Sequence, residues 1–117
     1  MAVSGQRIFS DFGETKPWSS VALVPLSETQ VFSYTVPGGN KFIVFSSQFT
    51  GGADAIMKLK VDGTVLATGR TAWTKRTVGN DFPVGHKVLP GSVITVTVLS
   101  TGEAAADFFG YINGILI

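Results

Sequence analysis

The stretch MKLKVDGTVLAT, at residues 57–68, contains two alternating apolar and polar runs that meet at Asp62-Gly63. An Asp-Gly pair between two such runs is the strongest short-range signal of a β-hairpin, because a type I′ turn needs positive φ at both central residues. The chain is therefore predicted to contain antiparallel strands. Turn sequences rich in Gly, Pro and Asn recur at intervals of roughly ten to fourteen residues, which is typical of an all-β sandwich or barrel.

Nine strands are predicted beyond the first twenty residues, and no segment has a sustained helical period. They span residues 21–24, 30–36, 41–49, 55–61, 64–71, 74–82, 86–89, 92–99 and 106–117. Alternation within them predicts one inward face per strand, and two such faces packed about 10 Å apart make a sandwich core. The predicted fold class is an all-β, antiparallel β-sandwich of jelly-roll type.

The last predicted strand contains the run FFGYINGILI at residues 108–117, which is apolar on both faces. It is predicted to be either a central strand covered on both sides or a strand at an interface. Gly110 and Gly114 lie four residues apart on one face, where another side chain or backbone can approach closely.

The N-terminal segment has a different pattern from the rest of the chain. Residues 1–19 are predicted to form an extended N-terminal arm, and residues 20–117 to form the jelly-roll domain. The apolar residues of this arm are Ile8, Phe9, Phe12 and Trp18. Leaving such side chains in water forfeits roughly 1.5–3 kcal/mol each. The arm is therefore expected to dock on its own domain or on a neighbour.

The composition limits the classes of partner. Of 117 residues 44% are apolar and only 15% are charged, against about a quarter in an average soluble domain. Either other protein covers part of the surface, or Gly, Thr and Ser replace the missing charges. The net charge of +1 and the lack of a long basic run predict no nucleic-acid partner. No signal peptide or long apolar run is found, so a soluble protein without a membrane span is expected.

Residues suited to catalysis are scarce. There is no cysteine and a single histidine, His86, so disulfides, thiolate metal sites and thiol catalysis are excluded. The carboxylates are scattered, and neither a calcium-binding loop nor a phosphate-binding loop is present. The chain is therefore predicted not to be an enzyme and to have no catalytic residue, metal ligand or cofactor.

Positive charge is concentrated between residues 58 and 87. This stretch contains six cationic residues and only two carboxylates, and Trp73 lies near its middle. The cations are Lys58, Lys60, Arg70, Lys75, Arg76 and Lys87. Trp and Arg are enriched at interface hot spots, so this patch is a candidate surface for an acidic partner or a sugar. The alternative interpretation is a solvated outer sheet face, with Trp73 covering one end of the core.

Two strings resemble small jelly-roll virion proteins of tailed bacteriophages. They are TVPGGNKFIVFSSQFTGGADAIMKLKVDGTVLATGRTAW at residues 35–73 and DFPVGHKVLPGSVITVTVLSTGEAAADFFGYINGILI at residues 81–117. The shared pattern is V-P-x-G, V-D-G-T, G-R-T, P-G-S-V-I-T-V-T-V and a closing A-D-F-x-G-Y strand. The resemblance covers about residues 30 to 117, and the arm lies outside it.

This family includes capsid decoration (cement) proteins, which typically sit as trimers on the icosahedral lattice. The resemblance implies a structural virion protein, made in the host cytoplasm, that stabilises the head by bridging subunits of the major capsid protein, and it supplies no catalytic position. It implies contacts through the arm residues Ile8, Phe9, Phe12 and Trp18. It also implies a capsid or subunit interface at Arg70, Trp73, Lys75 and Arg76.

A second interpretation is a receptor-binding or carbohydrate-binding jelly-roll module of a phage tail tip or fibre. Trp73 or Trp18 would then be the platform on which a sugar ring stacks. An enzyme is a third interpretation, with His86 as its only ordinary imidazole base.

Overall fold

Eight β-strands make up the fold in a computed structural model that describes residues 13–23, 26–72, 74–102 and 106–117. In chain order they are β1 (Gly13–Leu23), β2 (Thr29–Thr35), β3 (Phe42–Gly51), β4 (Ala55–Val61), β5 (Thr64–Thr71), β6 (Thr77–Val88), β7 (Val93–Ser100) and β8 (Ala106–Leu116). Within these ranges there is no helix, and the predicted all-β class is confirmed.

The strands form two four-stranded antiparallel sheets. The first sheet has the order β1-β8-β3-β6, and the second has the order β2-β7-β4-β5. Apart from the β4–β5 hairpin, each strand is followed in the chain by a strand of the other sheet. The predicted antiparallel sandwich is confirmed, and eight strands with these crossings are compatible with the jelly-roll type.

The core lies between the two sheets and follows from the period-two alternation of the strands. Phe42, Phe49 and Phe108 of the first sheet belong to one buried cluster with Met57 and Leu59 of the second. Each side chain of this size contributes roughly 1.5–3 kcal/mol when it leaves water. The same alternation directs the intervening side chains to the two outer faces of the sandwich.

The Asp62-Gly63 hairpin is confirmed. Asp62 has φ 50° and Gly63 has φ 83°, and Val61 pairs with Thr64 on either side of the turn. The Asp62 Oδ1 atom accepts a hydrogen bond from the backbone N–H of Val93 at 2.9 Å. The turn is therefore tied to the start of β7 as well as to its own two strands.

Replacing Gly63 with valine is expected to lower the free energy of unfolding by about 1–3 kcal/mol, since a β-branched residue is strained at positive φ. The matched control is Gly38→Val, because Gly38 lies in the β2–β3 connection without a positive φ and with open space around its Cα. Chemical denaturation of both variants measures the difference. Equal stabilities would contradict the type I′ turn.

Strand β8 is a central strand of the first sheet, between β1 and β3. Its glycines face the core. A Cβ atom on Gly110 would lie 2.8 Å from Cζ2 of Trp18, and one on Gly114 would lie 2.5 Å from Cε2 of Phe42. The predicted close approach of other groups at these two glycines is confirmed.

Strand β6 replaces two predicted strands, at residues 74–82 and 86–89. Its pairing with β3 is irregular: Val44 pairs with His86, whereas Ser46 pairs with Asp81, so four residues of β6 lie opposite Phe45 alone. The sequence Phe-Pro-Val-Gly at residues 82–85 has the composition of a turn. Here it forms a bulge within one strand, with Gly85 at φ 76°.

The predicted arm, residues 1–19, is wrong from residue 13 onward. Residues 13–19 belong to β1, and Trp18 is only 6% exposed and lies in the core cluster. The boundary predicted between residues 19 and 20 therefore falls inside a strand. Strand β1 is at the edge of its sheet, where Pro17 is tolerated, and for that reason its sequence lacks the pattern of a central strand. Residues 1–12 lie outside the described ranges.

Candidate functional site

The outer surface of the first sheet is the first candidate site, and we call it the β8 face. It consists of the outward side chains of β1, β8, β3 and β6. Because Phe108 and Ile112 of β8 point into the core, Phe109, Tyr111 and Asn113 point outward. Strand pairing aligns these three residues with polar residues of the neighbouring strands.

One row across the β8 face is joined by hydrogen bonds. Thr15 of β1, Asn113 of β8 and Ser46 of β3 are in register. The Thr15 Oγ1 atom donates to Asn113 Oδ1 at 2.8 Å, and Asn113 Nδ2 donates to Ser46 Oγ at 3.2 Å. Asp81 of β6 pairs with Ser46 and completes the row.

The next row along the strands holds Pro17, Tyr111, Gln48 and Gly79. The Tyr111 hydroxyl donates a hydrogen bond to Gln48 Oε1. This bond fixes the orientation of the Gln48 amide, so that its Nε2 atom points away from Tyr111. Gly79 has no side chain to cover the Gln48 amide from the β6 side.

A third row places Phe109 beside Thr50 and Thr77, whose hydroxyls lie 3.1 Å apart. Phe109 is 55% exposed, the most exposed aromatic residue in the part of the chain that the structure describes. Gln48 Nε2 and the Asp81 carboxylate have no hydrogen-bond partner among those residues. The β8 face therefore combines an exposed aromatic ring with an open donor and an open acceptor.

The basic patch predicted at residues 58–87 does not form one surface. Lys58 and Lys60 lie on β4 in the second sheet, whereas Lys87 lies on β6 in the first. Lys60 Nζ also contacts Glu28 Oε2 at 2.9 Å. The positive charge is thus divided between two sheets, because β5 and β6 belong to different sheets.

Three of the predicted interface residues flank the connection between β5 and β6. Arg70, Lys75 and Arg76 are all exposed there, and we call them the basic corner. The corner is held by paired backbone hydrogen bonds between Ala72 and Lys75, of 2.9 and 2.8 Å. Arg76 Nη1 lies 3.6 Å from Asp54 Oδ1.

The other predicted interface residues are Trp18, Ile8, Phe9, Phe12 and Trp73. Trp18 is buried in the core, so its predicted role as an arm contact or as a sugar platform is wrong. Ile8, Phe9, Phe12 and Trp73 lie outside the described residues.

Among the residues that the structure describes, two carboxyl groups have shifted pKa values. The hydrogen bond from Lys60 lowers the pKa of Glu28, and the hydrogen bond from the Val93 N–H lowers the pKa of Asp62. Both bonds favour the ionised form. Glu28 attaches the β1–β2 connection to Lys60 of β4, and Asp62 attaches the β4–β5 turn to Val93 of β7. Neither residue lies on the β8 face.

No metal-binding group of three or more His, Cys, Asp or Glu residues occurs in the described ranges. His86 is half-buried, and its ring centroid lies 6.4 Å from that of Phe82. The described residues also contain no helix that is long and apolar enough to cross a membrane.

The sequence did not lead to a prediction of the β8 face as a site. The alternation of Phe109, Tyr111 and Asn113 with core residues does indicate that these three side chains share the outer face of β8. The partners Gln48 and Asp81 carry no such signal, because their place beside Tyr111 depends on the pairing of β8, β3 and β6.

No protein-family model and no curated protein matches the chain. Among solved structures, the insecticidal delta-endotoxin Cry8Ea1 from Bacillus thuringiensis is similar, with a TM-score of 0.50 and 14% identity. The similarity covers 86% of this chain but only 19% of the endotoxin chain. At this identity the similarity supports the sandwich fold alone.

Proposed function

We propose that this chain is a non-catalytic structural protein of a bacteriophage virion, a capsid decoration protein that bridges subunits of the major capsid protein. The resemblance of residues 30–117 to jelly-roll virion proteins and the β-sandwich fold support the proposal. The low charged fraction of 15% fits a protein whose surface is partly covered in an assembly.

The observation that supports the proposal is that the basic corner and the start of β1 lie at opposite ends of the first sheet. The basic corner lies next to Thr77, at the end of the first sheet where Phe109 lies. Gly13, the residue that follows the N-terminal segment, pairs with Ile115 at the other end. Six residues of an antiparallel strand span about 20 Å. A molecule with contacts at both ends is suited to connecting two neighbours.

Self-association and location are parts of the same proposal. The protein forms a homotrimer on the capsid surface after synthesis in the host cytoplasm, as the resemblance implies. Ile8, Phe9 and Phe12 supply apolar contacts to a neighbouring subunit. Each copy adds buried interface area, and the head gains resistance to internal pressure without chemistry. The role requires no cofactor, metal ion or nucleic acid.

The second proposal, a receptor-binding or carbohydrate-binding module of a tail tip or fibre, loses one of its two platforms because Trp18 is buried. Trp73 is outside the described residues. Sugar binding therefore requires a different surface.

Co-sedimentation with capsids assembled without this chain tests the decoration role. Reversing the charges of the basic corner with Arg70→Glu and Lys75→Glu is expected to weaken capsid binding at least about ten-fold, or about 1.4 kcal/mol. The introduced glutamates would be repelled by an acidic capsid surface, and the rate of electrostatically steered association would fall.

The matched control is Lys58→Glu with Lys60→Glu, which changes the net charge equally on β4 of the second sheet, in neither proposed contact region. The control is expected to bind within about two-fold of the unmodified chain. An equal loss for both pairs would indicate a general charge effect and would contradict a specific role for the basic corner. Absence of capsid binding by the unmodified chain would contradict the decoration role.

A further inference from the structure

The β8 face has an arrangement that the decoration contacts do not use. Its three ordered rows extend over four strands, an area of roughly 14 Å by 14 Å. They contain two aromatic side chains, Phe109 and Tyr111, among amide, hydroxyl and carboxylate groups. Hydrogen bonds between Thr15, Asn113 and Ser46 hold part of this surface in a fixed conformation.

The aromatic residues offer an apolar contact of defined shape. Phe109 and Tyr111 are two residues apart on the same side of β8, so their Cα atoms are about 7 Å apart. Aromatic rings carry negative charge on their faces and prefer positively polarised edges such as C–H groups. One face of many pyranose rings consists of such C–H groups, whereas the edge of the ring carries hydroxyls.

The open polar groups match those hydroxyls. Gln48 Nε2 is a free donor among the described residues, since Tyr111 occupies only the oxygen of that amide. Asp81 is a free acceptor, one row away on β6. Gly79 lies between Thr77 and Asp81 without a side chain, so a ligand can reach the Gln48 amide from the β6 side. A polar ligand is favoured here because an amide and a carboxylate covered by an apolar partner would each lose hydrogen bonds to water.

The three rows carry negative charge, which disfavours a polyanion there, whereas the positive charge of the basic corner lies beyond Thr77. The charged residues in the three rows and directly beyond them on β8 are the carboxylates Asp81 and Asp107. Lys87 lies one row further away, beside Ile43. A second copy of the chain is also disfavoured, because the core of a protein interface is apolar and depleted in charge. On the β8 face the apolar pair Ile43 and Ile115 is separated from Phe109 by the rows that hold the Asp81 carboxylate and the Gln48 amide.

We propose that the β8 face binds a neutral oligosaccharide, with Phe109 and Tyr111 stacking on sugar rings and with Gln48 and Asp81 hydrogen-bonding to hydroxyls. Gln48 donates to one hydroxyl oxygen, and the Asp81 carboxylate accepts from neighbouring hydroxyls. This proposal does not depend on the virion role, since it uses none of the residues of the basic corner.

The test is NMR titration of the 117-residue chain with a panel of neutral hexaoses: maltohexaose, cellohexaose and mannohexaose. At least one of these sugars is expected to shift the backbone amide signals of Gln48, Gly79, Phe109 and Tyr111. The dissociation constant is expected to be about 1 mM or tighter, which corresponds to about −4 kcal/mol. Signals of the outer face of the second sheet should stay unchanged.

Two variants and a control separate this site from a general surface effect. Phe109→Ala and Gln48→Ala are each expected to weaken binding at least about ten-fold. Ser33→Ala, on the outer face of the second sheet, is expected to leave it unchanged. Any of three results overturns the proposal: no shift with any of the sugars, binding that survives both substitutions, or the same shifts on raising the protein concentration without sugar. The last result would assign the face to self-association. None of these results bears on capsid binding through the basic corner.

Discussion

Replacing Gly110 with alanine is expected to lower the free energy of unfolding by about 3 kcal/mol or more, at the upper end of the cost of overpacking a core. The added methyl group would meet the backbone oxygen of Gln48 and would lie 2.8 Å from Cζ2 of Trp18. Neither neighbour has room to move, because Gln48 belongs to the paired strand β3 and Trp18 is buried.

Thermal unfolding followed by circular dichroism measures this effect. A loss of about 3 kcal/mol shifts the Tm of a domain of this size by roughly 10 °C or more. Gly38→Ala is the control, since no atom lies within 4 Å of a Cβ placed there. A Gly110→Ala variant as stable as this control would contradict the packing of Trp18 on Gly110.

Deleting residues 2–17 is expected to unfold or aggregate the protein, whereas deleting residues 2–12 is expected to leave the sandwich folded. The longer deletion removes the part of β1 that pairs with residues 111–115 of β8. It would expose Ile112 and leave β8 with an unpaired edge, which is prone to aggregation. It also removes Lys16, whose Nζ lies 4.3 Å from the ring centroid of Tyr34 across the two sheets.

Far-UV circular dichroism and size-exclusion chromatography of the two truncated proteins decide the outcome. The protein without residues 2–12 should elute as a folded species and should bind capsids more weakly, because it lacks Ile8, Phe9 and Phe12. A well-folded protein without residues 2–17 would contradict the assignment of β1 to the sandwich. If the protein without residues 2–12 binds capsids with full affinity, that result would contradict the proposed apolar contacts of Ile8, Phe9 and Phe12.

The hairpin at Asp62-Gly63 and the alternating strands were predictable because each depends on residues close together in the sequence. Strand β4 is an example: Met57 and Leu59 are buried, as their alternation with lysines predicts. The position of Trp18 was not predictable in this way. Its burial depends on Gly110, a residue far away in the chain, and the prediction of an arm reaching residue 19 failed for that reason.

The candidate sites show the same division. Arg70, Lys75 and Arg76 flank the short connection between β5 and β6, so their closeness in the sequence was sufficient to predict one exposed basic group there. Lys58 and Lys87 were predicted to share one basic patch but lie on different sheets, because β4 belongs to the second sheet and β6 to the first. The β8 face depends entirely on pairing between distant strands, as with Tyr111 and Gln48, and periodicity within one strand does not reveal such a pair.

The proposed bridging of capsid subunits is tested most directly by electron microscopy of phage particles that carry a C-terminally tagged form of this chain. Gold-labelled antibody against the tag is expected at regular positions over the surface of the head. Label confined to the tail tip or fibres, or particles without label, would contradict the decoration role.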